Sequence, residues 1–379
     1  MHGAASAIPF YTAETVQRVL QMPQLILAME GALRAFSGGR VTQPVRSTVG
    51  AHEGFLALMP AFVHPSDHHQ HSSTPASSGS SQAHALSSSS SSSASSGALG
   101  VKLVTFYPHN PRGVATHSAV IALFEPTTGI PTALMDGSVI TELRTAAVSA
   151  VAARLLAPLD SSVLCILGSG AQAWSHWQAM RLVRPFTHVR IWSRTPANAH
   201  ALADRITRQQ ASQTAHSSSS ENPSPVQVTV ASTPRDAALG ADVIVCATSA
   251  TEPILLGEYV KPGAMVTAVG ACRPNWREMD DALMQNSIVI ADSLAGALKE
   301  SGDIILSQAT VAGELGELLT RRDEIARAQN ATSTLNTLAS SNAYLPLQTS
   351  PVKPIVFKSL GMAVEDVVAA SLVVGALHP

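Results

Sequence analysis

A short apolar segment that runs into a glycine-rich turn constrains the fold of this chain more than any other feature. Residues 163–167 (VLCIL) predict a buried strand, Gly168-Ser169-Gly170 a tight turn, and residues 174–183 a helix whose N-terminus faces that turn. The glycines let the backbone approach a ligand closely, and the free amides at the positive end of the helix dipole attract negative charge. The segment therefore predicts a site for the pyrophosphate of a dinucleotide.

The residues that end the next apolar segment indicate which dinucleotide is bound. Residues 189–192 lead into Ser193-Arg194-Thr195, where an Asp or Glu would be needed to accept a hydrogen bond from a free ribose 2′-hydroxyl. A guanidinium with two neighbouring hydroxyls suits a 2′-phosphate instead. The sequence therefore predicts NADPH as the cofactor, with NADH bound more weakly.

Further β-rich segments follow the glycine turn at intervals that leave room for helices. Residues 241–246, 264–269 and 288–291 each predict a strand. A glycine motif alone could belong to a strand, turn and helix that bind nothing, but a series of βα units around it favours the dinucleotide site. The predicted fold class is α/β, with a Rossmann-type doubly wound parallel sheet beside a mixed α+β domain.

Composition excludes several classes of partner. The chain has 379 residues, of which 45% are hydrophobic, so two domains can each bury a core. A net charge of −2 with 13% charged residues argues against nucleic-acid binding. The odd count of three cysteines implies no disulfide framework. No secretory signal is visible, and Lys358, Glu365 and Asp366 interrupt the apolar C-terminal stretch, so we expect a soluble cytoplasmic protein without a membrane partner.

Three segments have the composition of insertions that bury no core. Sixteen of the 32 residues in 66–97 are serine, and residues 209–225 and 328–350 are milder versions of the same composition. Such tracts cannot bury enough apolar surface to offset the entropy lost on ordering, so the first is predicted to be a disordered insert and 326–354 a low-complexity linker. Five histidines in or beside the first tract lack a rigid scaffold, and we expect no metal site among them: His64, His68, His69, His71 and His84.

The segment before the glycine turn predicts a second unit of helices and strands. Thr12 can cap a short helix, and a second helix is predicted to begin near Pro23 and to end at Gly38-Gly39. A further helix, predicted to begin at Thr141, leads directly into the first nucleotide-binding strand and is the expected joint between the domains. Four apolar segments between these helices predict the strands of a mixed sheet: 55–59, 101–106, 118–124 and 131–135.

Nine sequence motifs lie outside the low-complexity tracts, spread from residue 43 to residue 370. They are QPVRSTV (43–49), LMPAF (58–62), VKLVTFY (101–107), FEPTTG (124–129), LMDGSVITELRTAAVSAVAARLL (134–156), VGACRPNWREMDD (269–281), DSLAGALKESGDI (292–304), GELGELL (313–319) and VFKSLGMAVEDVVAA (356–370). Together they resemble the ornithine cyclodeaminase/mu-crystallin family, and within it the mu-crystallins that reduce ketimines. The resemblance runs from about Phe10 to the C-terminal helix.

The resemblance implies a domain organisation and an activity. It implies a substrate-binding and dimerisation domain over residues 1–145, which forms a homodimer through its mixed sheet, and an NADPH-binding domain over 146–325. A C-terminal helix over 355–379 returns to the first domain. The implied activity is the NADPH-dependent reduction of cyclic ketimine carboxylates to cyclic imino acids.

Three cations in apolar surroundings are the candidate substrate site. Arg46, Lys102 and Arg144 each need an anionic partner if they are buried, and an internal salt bridge would satisfy that need as well as a substrate carboxylate would. The resemblance implies that all three face the substrate, and it puts Glu300 at the same pocket. Arg144 is predicted to lie at a helix N-terminus, where the dipole would add to its attraction for an anion. Lys102 is the expected proton donor and, with Arg144, the expected catalytic pair, because burial beside two arginines would lower its pKa.

The remaining predicted site residues belong to the cofactor. Thr248 and Ser249 follow one predicted strand, and Val269 ends the next, where side chains reach a ligand at the carboxyl edge of the sheet. The resemblance adds Thr116 and His117, as binding residues, and Ser359. The full predicted set is Thr116, His117, Arg144, Thr145, Gly168, Ser169, Gly170, Ala171, Gln172, Ser193, Arg194, Thr195, Asn198, Thr248, Ser249, Val269 and Ser359; no metal ligand is predicted.

Two departures from the family pattern favour reduction over deamination. Cyclodeaminases usually carry carboxylates where this chain has Ala57 and Ala271. Deamination with ring closure needs a group that accepts and returns protons, whereas reduction of an existing C=N bond needs mainly a held carboxylate, a protonated nitrogen and a nearby hydride. Two alternatives stay open. One is binding of thyroid hormone, with which mu-crystallins are associated; the other is ornithine cyclodeaminase or amino acid dehydrogenase activity.

Overall fold

Two β-sheets organise the molecule. The computed structural model describes residues 7–65, 97–111, 113–216, 225–332 and 352–378. Most of the predicted insert 66–97, including its four histidines, and most of the linker 326–354 lie outside the described residues. The predicted α/β class is confirmed, with a parallel sheet beside a mixed sheet.

The mixed sheet is built from the N-terminal part of the chain. Its strand order is β1-β7-β6-β5-β4-β2, with β3 also paired to β4; β1 runs parallel to β7 and the other pairs are antiparallel. The strands are β1 (Phe10–Tyr11), β2 (Val41–Thr42), β3 (Ser47–Ala51), β4 (Gly54–Val63), β5 (Ala98–Phe106), β6 (His117–Phe124) and β7 (Pro131–Asp136). The helices that accompany it are α1 (Ala13–Val19), α2 (Met22–Ser37) and α3 (Gly137–Leu156).

The parallel sheet has the order β10-β9-β8-β11-β12-β15-β13-β14. Its strands are β8 (Val163–Leu167), β9 (His188–Trp192), β10 (Gln227–Val230), β11 (Val243–Cys246), β12 (Met265–Ala268), β13 (Ile288–Ala291), β14 (Val311–Glu314) and β15 (Ile355–Lys358). The helices are α4 (Ala171–Met180), α5 (Pro196–His216), α6 (Pro234–Ala238), α7 (Asp281–Asn286), α8 (Leu294–Glu300), α9 (Gly302–Ser307), α10 (Leu315–Thr332) and α11 (Ala363–Leu377). A short 3₁₀ turn spans Gly257–Tyr259.

Helix α3 is buried between the two sheets. It packs on α2, α4 and α11 and on strands of both sheets, and its residues from Ala146 to Ala153 are completely buried. A helix that is apolar on every side must be buried, and its alanines let the neighbouring helices approach closely. This helix therefore holds the two sheets in a fixed relation, which positions the site between them.

Four boundaries differ from the sequence predictions. Helix α3 begins at Gly137 rather than at Thr141, because the side chain of Asp136 caps it by accepting from Ser138 N and Val139 N. Helices α5 and α10 continue into the segments predicted to be low in structure. The predicted C-terminal helix is preceded by a strand, β15, which inserts between β12 and β13 before α11 packs on the mixed sheet.

Candidate functional site

A crevice opens at the carboxyl edge of β8, β9 and β11. It has a volume of about 440 Å³, which lies within the usual range for small-molecule sites. Because the strand order reverses beside β8, this is the position at which doubly wound sheets bind ligands. Nine of the predicted cofactor residues line the crevice: Gly168, Ser169, Gly170, Ser193, Arg194, Thr195, Asn198, Thr248 and Ser249.

The glycine turn fits a closely approaching ligand. Gly168 has a φ of +125°, and a Cβ atom there would lie 2.3 Å from the carbonyl oxygen of Ala247. Gly170 faces open space, with no heavy atom within 4 Å of a built Cβ, and no side chain caps the N-terminus of α4. The amides of the first turn of α4 are therefore available to an anion such as a pyrophosphate, and the geometry suits a dinucleotide.

The end of β9 is tied to the glycine turn by side chains. Ser169 Oγ donates to Ser193 Oγ over 2.8 Å, which holds the two strand ends together at the crevice. Arg194 is exposed at the rim, where its guanidinium is free to swing over a ligand phosphate.

The other predicted cofactor residues do not line this crevice. Gln172 and Thr145 both donate to the carbonyl oxygen of Thr141, over 3.4 and 2.7 Å; the first bond links α4 to α3, and the second lies within α3. Val269 and Ser359 follow β12 and β15 at the same carboxyl edge. The complete set outside the crevice lining is Thr116, His117, Arg144, Thr145, Ala171, Gln172, Val269 and Ser359.

Two of the predicted substrate cations lie in a buried ionic cluster. Lys102 Nζ is 2.6 Å from Asp366 Oδ2, and Arg144 donates from Nε to Asp366 Oδ1 over 3.0 Å and from Nη1 to Glu365 Oε2 over 2.7 Å. All four side chains are almost completely buried. Lys102 comes from β5, Arg144 from α3 and the two carboxylates from α11. We call this group the four-residue cluster.

The third cation is paired as well. Arg46 Nε lies 3.0 Å from Glu300 Oε2, and its Nη2 donates to the carbonyl oxygens of Leu360 and Gly361 over 2.7 and 3.2 Å. Arg46 and Glu300 line a second cavity of about 80 Å³, which holds only two or three waters at about 30 Å³ each. Lys102 and Arg144 do not line that cavity. The predicted substrate residues are thus close to one another, but a protein carboxylate is the partner of each cation.

The position of Arg144 corrects one part of the sequence prediction. Because α3 begins at Gly137, Arg144 lies about two turns into the helix and not at its N-terminus. Its binding capacity therefore comes from its guanidinium and not from the helix dipole, whose effect is confined to the first turn.

Electrostatics within the four-residue cluster bring two groups toward neutral pH. Burial lowers the pKa of Lys102 to about 8. The positive charges of Arg144 and Arg46 act in the same direction, and the attraction of Asp366 opposes the shift. Burial raises the pKa of Glu365 to about 7. The negative charges of Asp292 and Asp366 act in the same direction, and Arg144 opposes the shift. Among the described residues Glu365 Oε1 has no hydrogen-bond partner. The cluster can therefore exchange a proton near physiological pH.

A loop connects the four-residue cluster to the edge of the parallel sheet. Asp292 Oδ2 accepts from Ser359 Oγ and from the amides of Leu360 and Gly361, over 2.9, 2.7 and 2.8 Å. Gly361 has a φ of +78°, and a Cβ atom there would lie 2.4 Å from Arg144 Nη1. The end of β15 therefore lies directly against the guanidinium, at the same edge as the crevice.

On another side of the site, aromatic residues lie between the two sheets. The guanidinium carbon of Arg273 lies 4.6 Å from the ring centre of Phe106, 4.8 Å from that of Trp276 and 5.3 Å from that of Phe55. The ring of His117 lies 4.4 Å from that of Phe106. These contacts join the mixed sheet to the loop after β12.

The sequence analysis did not identify Asp366, Glu365 or the aromatic group around Arg273 as parts of the site. The signal for the two carboxylates was present, because adjacent acidic residues inside an apolar helix need cationic partners. The aromatic residues carried no such signal, since isolated apolar residues occur throughout any core.

Two kinds of site are not found in the described parts of the chain. No group of three or more His, Cys, Asp or Glu side chains there could hold a metal ion. No described helix is both long enough and apolar enough to cross a bilayer.

Comparisons with known proteins agree with this architecture. The model of the ornithine cyclodeaminase/mu-crystallin family matches residues 72–378. Ketimine reductase mu-crystallin of Mus musculus is 42% identical over 371 residues, with 96% of each chain covered. Delta(1)-pyrroline-2-carboxylate reductase of Bacillus cereus is 30% identical, with 72% of this chain and 75% of the relative covered. The solved structure of the Thermococcus litoralis Delta(1)-pyrroline-2-carboxylate reductase in complex with NADH and L-proline has a TM-score of 0.75 at 26% identity and covers 97% of both chains.

Proposed function

Because the chain belongs to the ornithine cyclodeaminase/mu-crystallin family, we propose that it reduces the C=N bond of small cyclic ketimine carboxylates with NADPH. The observation that carries this proposal is that the dinucleotide crevice lies at the same carboxyl edge of the parallel sheet as the loop that Asp292 holds against the four-residue cluster. A hydride donor and a proton donor are both needed at a C=N bond. The arrangement puts the site for the hydride donor and the candidate proton donor at the same edge of the sheet.

The substrate carboxylate is held by exchange of partners. Arg46 is partly exposed and is paired with Glu300, whose pKa is raised by burial although Arg46 opposes the rise. A substrate carboxylate that takes the place of Glu300 would keep the guanidinium paired and release Glu300 toward solvent. The cavity beside Arg46 is too small for the ring and is not lined by Lys102, so this proposal requires the cavity to widen toward Lys102 when the substrate binds.

Lys102 supplies the proton. Arg144 keeps the surroundings of Lys102 charged and fixed in position. The dinucleotide, when bound, supplies the hydride that adds to the imine carbon. Lys102 Nζ donates a proton to the imine nitrogen, so that the product is a cyclic secondary amine that keeps its carboxylate. Asp366 lies 2.6 Å from Lys102 and also binds Arg144, so it orients both cations.

The preference for NADPH over NADH rests on the end of β9. Ser193, Arg194 and Thr195 line the crevice, and none of them is an acid that would bind a free ribose 2′-hydroxyl. Calorimetry of both dinucleotides on the wild type and on Arg194→Ala tests this part. We expect the variant to lose affinity for NADPH about tenfold, with little change for NADH. Equal losses for both dinucleotides would contradict it.

A homodimer is supported by the outer face of the mixed sheet. Leu58, Leu103 and Val120 are cross-strand neighbours on β4, β5 and β6, and they are 37%, 39% and 39% exposed. Val49 on β3 is 59% exposed. Contiguous apolar residues on a sheet face favour cover by another protein surface, and a second copy of the chain is the partner we propose. We expect sedimentation to show monomers for Leu103→Glu and dimers for the wild type. We also propose that the protein works in the cytoplasm.

The lyase alternative is disfavoured by the site. Ala57 and Ala271, which replace the acids of cyclodeaminases, are both fully buried, so no carboxylate reaches the site from these positions. Deamination of an amino acid substrate would need such a group to move protons. Incubation with ornithine should therefore yield neither ammonia nor proline.

Binding of an iodothyronine is the second candidate. The aromatic group of Phe55, Phe106 and Trp276 around Arg273 offers ring faces and a cation beside the site, which suits an aromatic amino acid. If this ligand shares the substrate site, its titration should compete with a ketimine in the presence of NADPH.

The decisive experiment is an absorbance assay of NADPH oxidation with a panel of five- and six-membered cyclic imino acids. We expect turnover with at least one member of the panel. Alanine and arginine with NADP⁺ serve as the comparison for amino acid dehydrogenase activity. Failure of the whole panel on a protein that binds NADPH would overturn the proposed reaction.

A further inference from the structure

A second group of buried charges lies beneath the carboxyl edge and is not used by the mechanism above. It consists of Glu278, Asp303 and Lys358, which are all completely buried. Lys358 ends β15, Asp303 is in α9 and Glu278 precedes α7. Lys358 Nζ is 3.0 Å from Asp303 Oδ2. We call these three residues the buried triad.

Glu278 spans the ends of two neighbouring strands. Its Oε1 accepts from the amide and the hydroxyl of Thr248, both over 2.8 Å, and its Oε2 accepts from the amides of Gly270 and Ala271 over 2.9 and 3.2 Å. Thr248 lines the dinucleotide crevice. The carboxylate therefore lies one hydrogen bond behind the wall of the crevice.

The turn after β12 is fitted to this carboxylate. A Cβ atom on Gly270 would lie 2.1 Å from the carbonyl oxygen of Thr248 and 2.4 Å from Glu278 Oε1. Asp303 holds Glu278 in turn, since its Oδ1 accepts from the amides of Glu278 and Met279 over 2.7 and 3.0 Å. The position of Glu278 is thus set by contacts on every side.

The hydrogen bonds favour the charged form of Glu278. Four donors reach its two oxygens, and a protonated acid would turn a donor of its own against one of them. Burial and the neighbouring Asp303 raise the pKa of Glu278, and Lys358 and the bonds from Thr248 oppose part of that rise. Counted formally, two carboxylates and one ammonium give the buried triad one net negative charge.

The four donors require acceptors on both sides, which only the carboxylate supplies, so a negative charge is fixed at the ends of β11 and β12. Thr248, which donates to Glu278, follows β11, and Val269, which precedes Gly270, follows β12. A nicotinamide ring bound at these two strand ends would be separated from Glu278 only by the crevice wall, and this ring is neutral when reduced and cationic when oxidised.

We propose that the negative charge of the buried triad makes the protein bind the oxidised, cationic nicotinamide in preference to the reduced, neutral one. The inference rests on the proposed function. A fixed anion behind the crevice wall would stabilise a cationic ring relative to a neutral one, and so would favour loss of hydride from the reduced form when that cofactor is bound. Glu278 touches neither the ring nor the substrate, so it is a positioning residue that acts through Thr248 and the turn after β12.

The test compares the affinities of the two redox forms in charge variants of the full-length protein. Calorimetry gives the ratio of the dissociation constants for NADP⁺ and NADPH. In Glu278→Gln this ratio should rise about tenfold, because one nearby charge in a medium of intermediate dielectric is worth about one power of ten. Lys358→Met should move the ratio in the opposite direction. A merely structural role would weaken both forms alike.

Matched controls separate charge from folding. Asp303→Asn removes a negative charge as Glu278→Gln does, so it should shift the ratio in the same direction, and it serves if Lys358→Met does not fold. Asp242 accepts from the amides of Ser162 and Val163 at the amino edge of the same sheet, and Asp242→Asn should leave the ratio unchanged. Adenosine 2′,5′-bisphosphate, which lacks the nicotinamide, should bind all variants equally.

The outcomes are distinguishable. An unchanged ratio in Glu278→Gln and Asp303→Asn, a shift equally large in Asp242→Asn, or loss of adenosine 2′,5′-bisphosphate binding in Glu278→Gln would each overturn the inference. If the wild type binds neither dinucleotide, the proposed function fails first. Dinucleotide binding with an unchanged ratio leaves the proposed function intact and overturns only the role of the triad.

Discussion

The dinucleotide crevice and the four-residue cluster share one edge of the parallel sheet but are built in different ways. Much of the crevice is lined by backbone and small side chains from neighbouring βα units, such as Gly168, Gly170 and Ser193. The cluster consists of long charged side chains from distant parts of the chain, and Arg144 and Asp366 are 222 positions apart. The crevice presents unpaired donors to a ligand, whereas each cation near the substrate already has a protein partner.

This difference separates two tasks. Free amides and an open glycine turn bind an anion without rearrangement, which suits a cofactor that must be held tightly. Paired buried charges bind a new anion only by exchange, so they contribute less to affinity but hold proton-transfer groups at a fixed position and pKa. Variants in the two regions should therefore separate binding from turnover.

The largest expected effect is the loss of turnover in Lys102→Ala. General acid catalysis contributes about 10² to 10⁴ in rate, so kcat should fall by at least a hundredfold. The dissociation constant of NADPH should stay within about twofold, because Lys102 does not line the crevice. Single-turnover kinetics and calorimetry provide the two measurements. Lys353→Ala, at an exposed lysine, is the matched control. A parallel loss of NADPH binding would show that the two regions are not separable.

Gly361→Ala should damage the contact between the two regions. The new Cβ atom would meet a guanidinium that Glu365 and Asp366 hold in place, and the φ of +78° is unfavourable for alanine. We expect a loss of about 2 to 4 kcal/mol in the free energy of unfolding by denaturant. The control is Gly375→Ala in α11, where no atom lies within 4 Å of the new methyl. It should change stability by less than about 1 kcal/mol, and in the stabilising direction.

The pH dependence should follow Lys102. Its pKa is lowered to about 8, and the acid form is the one that donates. In the free enzyme kcat/KM should therefore fall about tenfold per pH unit above this value. Binding of NADPH, measured separately, should not follow this profile. A kcat/KM that rises through pH 8 would contradict the assignment of Lys102 as the donor.

Sequence reasoning reached the crevice because its requirements are local. The strand β8, the glycine turn and Ser193-Arg194-Thr195 each follow from neighbouring residues, and the structure brings all of them to one cavity. The position of β15 between β12 and β13 could not be predicted, because strand order depends on contacts between distant segments. The expected dipole effect at Arg144 was wrong for a local reason, since Asp136 is the better cap and moves the helix start.

The ion-pair partners were the least predictable part of the site. Sequence reasoning recognised that Arg46, Lys102 and Arg144 need anions, but it could not decide between a ligand and the protein. The structure supplies Asp366 and Glu365 from α11, which packs on β5 only after the chain has crossed the parallel sheet. Long-range pairing of this kind leaves no trace in the spacing of residues.

The smallest expected effect tests the idea of partner exchange directly. If a substrate carboxylate displaces Glu300 from Arg46, then Glu300→Gln removes a competitor, and the KM for a ketimine should fall by about two- to fivefold, in keeping with a partly exposed ion pair. Most substitutions in a site raise KM, so the sign of the change carries the information. Steady-state kinetics with the best substrate of the panel gives the measurement, and kcat should change little. A raised KM would mean that Glu300 binds the substrate itself, and the substrate would then be recognised by this acid as well as by Arg46.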